Sequence, residues 1–394
     1  MSWALCNLES LAEDSQYSFV GGPFGSKLTT RDYVDEGVPV IRGGNLGNGR
    51  FLDTRDFVYV TEAKVREDLF GNLAKPGDLI FTQRGTLGQV ALVPEDGPSD
   101  RYVVSQSQMK MTVDEEKADR LFLYYYFTSR EAVQRIVSYV SSSGVPHINL
   151  TVLRDFEVPR PPLQTQHAIA SILSAYDDLI ENNRRRIQLL EQAARLLYKE
   201  WFVHLRFPGH EHVKIKDGLP EGWDKKSLGE LIEIKRGKNI TQVSTQEGTV
   251  PVVAGGLEPA YYHNEANVVG PVVTISASGA NAGFVRIYHK DIWASDCSYI
   301  SLDSTKHLYY YYCLLSSRQQ EILGLQKGAA QPHVYPKDLM RITAVRPPDK
   351  ILQYFDDAVA PLFALVKILG KQNNSLAASR DLLLPRLMNG EIAV

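Results

Sequence analysis

Four polar segments carry the residue types that could touch another molecule, and they come as two pairs. The first pair is Gln83-Arg84-Gly85-Thr86-Leu87-Gly88 and Ser278-Gly279-Ala280-Asn281-Ala282-Gly283, each set between short β-rich runs. Glycine lets a backbone approach a groove or phosphate closely, while Arg, Gln and Asn can make two hydrogen bonds at once to a guanine or adenine edge. The second pair is Ser141-Ser142-Ser143-Gly144-Val145-Pro146-His147 and Lys327-Gly328-Ala329-Ala330-Gln331-Pro332-His333. A structural role is equally open to each: the glycine loops as hairpin turns, the Pro-His segments as helix-to-strand connections with the imidazole satisfied locally. The candidate contacts to a nucleic acid in these segments are Gln83, Arg84, Thr86, Ser142, His147, Ser278, Asn281, Lys327, Gln331 and His333.

Residues that would carry covalent chemistry are missing. A DNA amino-methyltransferase needs an acidic or amide residue before Pro-Pro-aromatic, whereas the pairs here are Arg160-Pro161-Pro162-Leu163 and Arg346-Pro347-Pro348-Asp349. A magnesium-dependent nuclease could start from Glu221 with Glu233-Ile234-Lys235, but such triplets arise by chance in a chain this charged. No P-loop, HExxH or nucleophile-elbow pattern is present. His204, His210 and His212 cluster near a helix end, where a solvated terminus explains them better than a metal site. The tyrosine runs Tyr124 to Tyr126 and Tyr309 to Tyr312 have helical spacing and are read as core rather than as stacking platforms.

The elements that must position these loops are two long helices. Ile169, Tyr176, Asn183, Leu190 and Leu197 share one heptad position, and Leu173, Ile180, Ile187, Ala194 and Trp201 share the other. Such a repeat marks a coiled-coil seam, and roughly forty residues at 1.5 Å each make a helix about 60 Å long. A shift of 186 residues carries this seam onto Phe355, Leu362, Leu369, Leu376, Leu383 and onto Val359, Val366, Asn373, Arg380, Leu387. The same shift carries Pro161-Pro162 onto Pro347-Pro348 and Pro146-His147 onto Pro332-His333. The chain is an internal duplication. The offset is 212 at Pro39 and Pro251, so the second copy is shorter by about 26 residues. The expected fold is α+β: two mixed, mostly-β domains joined by two long helices that pair antiparallel. The boundaries are residues 1–160, 161–208, 209–346 and 347–394. A helix is expected from Ala118 to Val140 and its counterpart from His307 to Leu323, with a kink or true start of the second long helix at Pro361. If Asn183 faces Asn373, Trp201 falls beside Phe355, Ile169 beside Leu387 and Tyr176 beside Arg380, and the two asparagines fix the register.

Composition bounds the rest. The chain has 394 residues, 44% hydrophobic and 23% charged, which is ordinary globular material. Three cysteines at no metal spacing argue against a disulfide framework or zinc site. No apolar run reaches spanning length, and Glu9, Glu13 and Asp14 stand where a signal peptide would be basic and apolar, so a cytoplasmic protein without membrane contact is expected. The net charge of −3 gives nucleic-acid binding no support of its own.

Further motifs resemble a known family. Leu197-Tyr198-Lys199-Glu200-Trp201-Phe202-Val203, closing on Arg206-Phe207-Pro208-Gly209, and Leu383-Leu384-Pro385-Arg386-Leu387-Met388-Asn389-Gly390-Glu391-Ile392 look like the helix ends of type I restriction-modification specificity subunits. Pro39-Val40-Ile41-Arg42-Gly43-Gly44-Asn45 and the run from Gly77 to Thr86 look like that family's target-recognition domain. One departure stands out: the Glu-Gln usual after Pro-Pro is Thr165-Gln166 in the first copy and Ile351-Leu352-Gln353 in the second. The resemblance implies a non-catalytic reader of double-stranded DNA, each domain reading one half of a bipartite target, with Arg42 and Asn45 added to the contacts. It implies that the helix pair sets the spacer and docks two modification (methyltransferase) subunits, with restriction subunits joining the complex. S-adenosylmethionine, ATP and magnesium would sit on those partners and none on this chain. The competing readings are a fused or stand-alone magnesium-dependent nuclease or methyltransferase and a coiled-coil scaffold that binds protein only.

Overall fold

The computed structural model describes residues 3–47, 49–139, 145–328 and 331–394. The chain divides into two compact units, one of Met1–Glu181 with Asn373–Val394, the other of Asn182–Gln372. The long helices, Leu163–Tyr198 and Asp349–Met388, are cut by this division, so each unit owns a stretch of both instead of each helix forming a domain of its own.

Unit 1 holds two four-stranded sheets. In the first, the order is Phe19–Gly21, Gln108–Met111, Leu79–Thr82, Val90–Leu92, all antiparallel. The second runs Val58–Val60, Val38–Ile41, Tyr102–Val104, Leu73–Ala74, with Val38–Ile41 and Tyr102–Val104 parallel. Unit 2 repeats the first sheet as Lys235–Arg236, Cys297–Ser301, Val272–Ser276, Val285–Tyr288. Its second sheet has three strands, Tyr261–His263, Val250–Val253 and Trp293–Ala294, and keeps the parallel pair. Most of the shortening of the second copy is located here: the first copy carries helical turns over Glu62–Asn72 and the strand Leu73–Ala74 between Pro39 and Leu79, where the second passes from Pro251 to Val272 with one strand.

Both strand-rich cores are closed by helices, and the long helices are rooted in them. In unit 1, Phe81, Met109, Phe122, Phe127 and Phe156 pack with Ile169 and Leu173 of the first long helix and Leu384 and Leu387 of the second. In unit 2, Tyr198 at the end of the first helix and Phe202 in the π-helical turn Lys199–Val203 after it meet Tyr310 and Phe355. Trp201 lies against Phe355 with ring centroids 5.8 Å apart, where the antiparallel register puts it. Within unit 1, Asn373 donates through Nδ2 to the Ile180 carbonyl at 3.3 Å. Arg380 pairs with Asp177 rather than with the neighbouring Tyr176, because the carboxylate offers it a charge partner that a phenol does not. Asn183 is buried.

Three local expectations change. The helix expected from Ala118 to Val140 is two, Arg120–Thr128 and Arg130–Ser138, because extended Ser129 (φ −66°, ψ 146°) ends one and caps the next by accepting from the Ala132 N–H at 3.2 Å. Its counterpart breaks likewise at Arg318, into Leu308–Ser317 and Gln319–Leu323. The second long helix starts at Asp349 and continues through Pro361. Phe355, Val359 and Phe363, none more than 1% exposed, hold the turns on either side of the lost N–H.

Candidate DNA-reading loops

The glycine loop of unit 1 leaves the strand Leu79–Thr82 and returns as Val90–Leu92. Gly88, at φ +83°, closes it against the helix Arg130–Ser138, where an added Cβ would meet Val133 Cγ1 at 2.8 Å. In unit 2, Gly283 at φ +90° does the same beside Ile322. Left-handed backbone at both places explains why the glycines stand there.

Each glycine loop is fastened to the Pro-His segment of its own unit. In unit 1 the Gly85 N–H donates to the Pro146 carbonyl (3.1 Å) and the Ile148 N–H to the Gln83 carbonyl (3.0 Å). In unit 2 the Gly279 N–H donates to Pro332 (3.0 Å) and the Val334 N–H to Ala277 (3.0 Å). These bonds make Arg84 and His147 one antiparallel bridge and Ser278 and His333 the other. Two segments that are far apart in sequence thus form one polar edge in each unit.

The side chains at that edge differ. Arg84 and Thr86 are exposed, Gln83 is half-buried, and among the described residues the Arg84 guanidinium makes no hydrogen bond or ion pair. His147 is exposed, its Nδ1 3.2 Å from the Val145 carbonyl. Ser142 lies outside the described residues. In unit 2, Gln331 is exposed and Asn281 half-buried. Ser278 is already engaged, its hydroxyl donating to Asp296. Lys327 is engaged as well: its ammonium lies 2.8 Å from both oxygens of Asp338, and that hydrogen bond, with the charge, lowers the Asp338 carboxyl below its usual range. Lys327 is therefore a loop-holding residue more than a free cation.

One sequence expectation is corrected outright. Asn45 is 2% exposed; its Oδ1 accepts from the Arg42 N–H at 2.9 Å and its Nδ2 donates to the Asp53 and Asp56 carbonyls at 3.0 and 3.3 Å. With its amide consumed by backbone it shapes a turn and offers nothing to a ligand. Arg42 is half-tied, bonding the Asp56 carbonyl at 3.2 Å with its carboxylate at 3.6 Å. The tyrosine runs are core: burial pushes the Tyr124 phenol up to about 12 and raises those of Tyr310 and Tyr312. Sequence reasoning missed Tyr335, whose ring stacks on His333 (6.0 Å, 19°) and is 43% exposed. Its position two residues after Pro-His was the available signal. Gln166 also gains a role: buried, it accepts from the Asp119 N–H (3.0 Å) and donates to the Pro161 carbonyl (2.9 Å), tying the start of the first long helix to its domain. Leu352 replaces it in unit 2 by apolar burial.

Among the described residues no group of three His, Cys, Asp or Glu could hold a metal ion, and no helix is long and apolar enough to cross a membrane. A duplicated α+β chain with a polar loop pair on each copy defines a two-headed recognition protein. The family model for the type I restriction modification DNA specificity domain matches residues 25–192 and 220–376, once per copy, and the chain belongs to that family. It is the subunit that supplies DNA sequence specificity in such systems, a reader without catalytic function. The MjaIX specificity subunit of Methanocaldococcus jannaschii is 26% identical over 95% of this chain and 91% of its own length. The putative specificity subunit S.MpnORF638P of Mycoplasma pneumoniae is 29% identical over 64% of this chain and 66% of its own. The fold is like that of the S subunit crystal structure from M. genitalium, with a TM-score of 0.52 at 20% identity, covering 98% of this chain and 96% of that one.

Proposed function

We propose that each unit reads one half of a bipartite duplex target through its fastened loop pair. In unit 1 the contacting side chains are Gln83, Arg84, Thr86 and His147, with Arg42 at the margin; in unit 2 they are Asn281, Gln331 and His333. The observation that carries this reading is the repeated hydrogen-bond frame: the same two backbone bonds present a different set of exposed or half-buried polar side chains in each copy. A constant frame with variable tips is what two half-sites of different sequence require.

The helix pair sets the spacer between the half-sites, Asn183 and Asn373 fix its register, and its outer face docks the modification subunits. An apolar pair supports docking: Leu189 and Leu196, seven residues apart on the first long helix, are 56% and 53% exposed, and Val203 in the π-helical turn that follows is 59% exposed. S-adenosylmethionine, ATP and magnesium belong to the modification and restriction subunits, and the complex works in the cytoplasm. The test is the methylome of a cell carrying this chain with its modification subunits, followed by a gel shift on the motif found. A bipartite motif bound by the complex is expected; a continuous motif, or methylation independent of this chain, overturns the reading.

A further inference from the structure

Arg236 stands outside the glycine loops, at the end of the edge strand Lys235–Arg236 and opposite Ser298. Its Nη2 donates to Asp296 Oδ1 at 2.6 Å, while the other carboxylate oxygen of Asp296 accepts from the Ser278 hydroxyl. One carboxylate therefore joins an edge-strand arginine to the glycine loop. The Arg236 side chain remains 41% exposed, and among the described residues it makes no other hydrogen bond or ion pair.

Unit 1 shows what this corner is equivalent to. Gly22 donates to the Gln108 carbonyl (2.9 Å) as Gly237 does to Cys297 (2.8 Å), so Gly21 takes the position of Arg236. The Ser107 carbonyl accepts from the Gln83 N–H (2.7 Å) as that of Asp296 does from Ala277 (3.2 Å), so Ser107 takes the position of Asp296. Arg84 takes the position of Ser278. Each corner thus carries one arginine, on the loop in unit 1 and on the edge strand in unit 2.

We propose that Arg236 reads a guanine for unit 2 and that Asp296 is its positioning residue, an inference that rests on the loop pairs facing DNA. A guanidinium is planar and has five donors in a fixed fork. Asp296 takes one of them and sets the plane, leaving others to meet guanine O6 and N7 together in the major groove. The Ser278 hydroxyl holds the carboxylate in turn, so the loop and the strand orient one reading group.

The test uses the complex of this chain with its modification subunits and duplexes carrying the methylome motif, with 7-deazaguanine replacing each guanine singly. At one guanine of one half-site, the wild type should lose about 5- to 150-fold in affinity when N7 is removed. Arg236→Ala should lose a similar factor on normal DNA and nothing further on the 7-deaza duplex. Arg236→Lys keeps the charge and lacks the fork; it should behave like the alanine variant while holding the wild-type melting temperature, which separates reading from folding. Asp296→Asn should narrow discrimination at that same guanine and leave binding to unrelated DNA unchanged. A variant that keeps full 7-deaza sensitivity, or a motif with guanine in only the half-site read by Arg84, overturns the assignment. Failure of the wild type to distinguish the motif from unrelated DNA would instead defeat the reading on which it rests.

Discussion

Arg84 and His147 sit side by side in an antiparallel bridge, held by the Gly85 bond to Pro146 and the Ile148 bond to Gln83. The bridge fixes the Arg84 backbone but leaves its guanidinium exposed, so the side chain is presented rather than packed. Arg84→Ala should weaken specific DNA binding by about 1 to 3 kcal/mol and relax one base position if the arginine reads a base edge. A phosphate contact would instead lower binding evenly across sequences and reduce the salt slope by about one. Titrations at several salt concentrations on specific and unrelated duplexes distinguish the two. No change in either quantity would make the loop a plain turn.

The same frame depends on two left-handed glycines. Gly88→Ala places a Cβ 2.8 Å from Val133 and forces φ +83° on a side-chain residue, and Gly283→Ala meets both the side chain and the carbonyl of Ile322 at 3.2 Å. Each substitution should destabilise its own unit by about 1 to 3 kcal/mol. Denaturant melts would measure it. Gly85→Ala is the control: it carries φ +104° with nothing within 4 Å of the new methyl, so only the backbone strain remains and the loss should be smaller.

Periodicity made the duplication and the helix seams legible, because each signal is local and repeated. Convergence of the loop pairs was not legible as geometry: each half of the pair reads as an ordinary turn, and only the fold brings Gly85 to Pro146. Asn45 was misread for the opposite reason. Its residue type suits a base reader, but the Arg42 N–H takes its amide oxygen and the Asp53 and Asp56 carbonyls take its amide nitrogen. Arg236 gave no signal at all, since its partner Asp296 lies 60 residues away in sequence, in the bend before the strand Cys297–Ser301.

His289 makes unit 2 sensitive to acid. Burial first, and the charge of Lys367 second, hold its imidazole down to about 4 from an ordinary 6.5, and its Nε2 is buried without a hydrogen-bond partner beside Tyr309 and Phe363. A depressed imidazole means that the unfolded chain binds a proton the native chain refuses. The contribution is fully present above pH 6.5 and is lost as pH falls toward about 4. His289→Phe should remove this part of the pH dependence while keeping the ring contacts. Melting temperatures of both proteins from pH 7 to pH 4.5 test it, and parallel curves would show that His289 contributes nothing.

The exposed stripe on the first long helix separates docking from folding. Leu189 and Leu196 are 56% and 53% exposed, so replacing both with Asp removes little buried surface and should change the stability of the chain by no more than about 0.5 kcal/mol each. A partner helix packed on that stripe would have to bury two carboxylates without counter-charges, which costs far more than the lost contacts. Affinity for the modification subunits should therefore fall at least tenfold, about 1.4 kcal/mol. Size-exclusion chromatography and calorimetry with purified modification subunits read the loss, and circular dichroism checks that the helices remain. The seam serves as the contrast: Ile180→Asp buries a charge between the helices and should destabilise the chain itself. If the double surface variant assembles with full affinity, the modification subunits dock elsewhere and the stripe has no part in holding them.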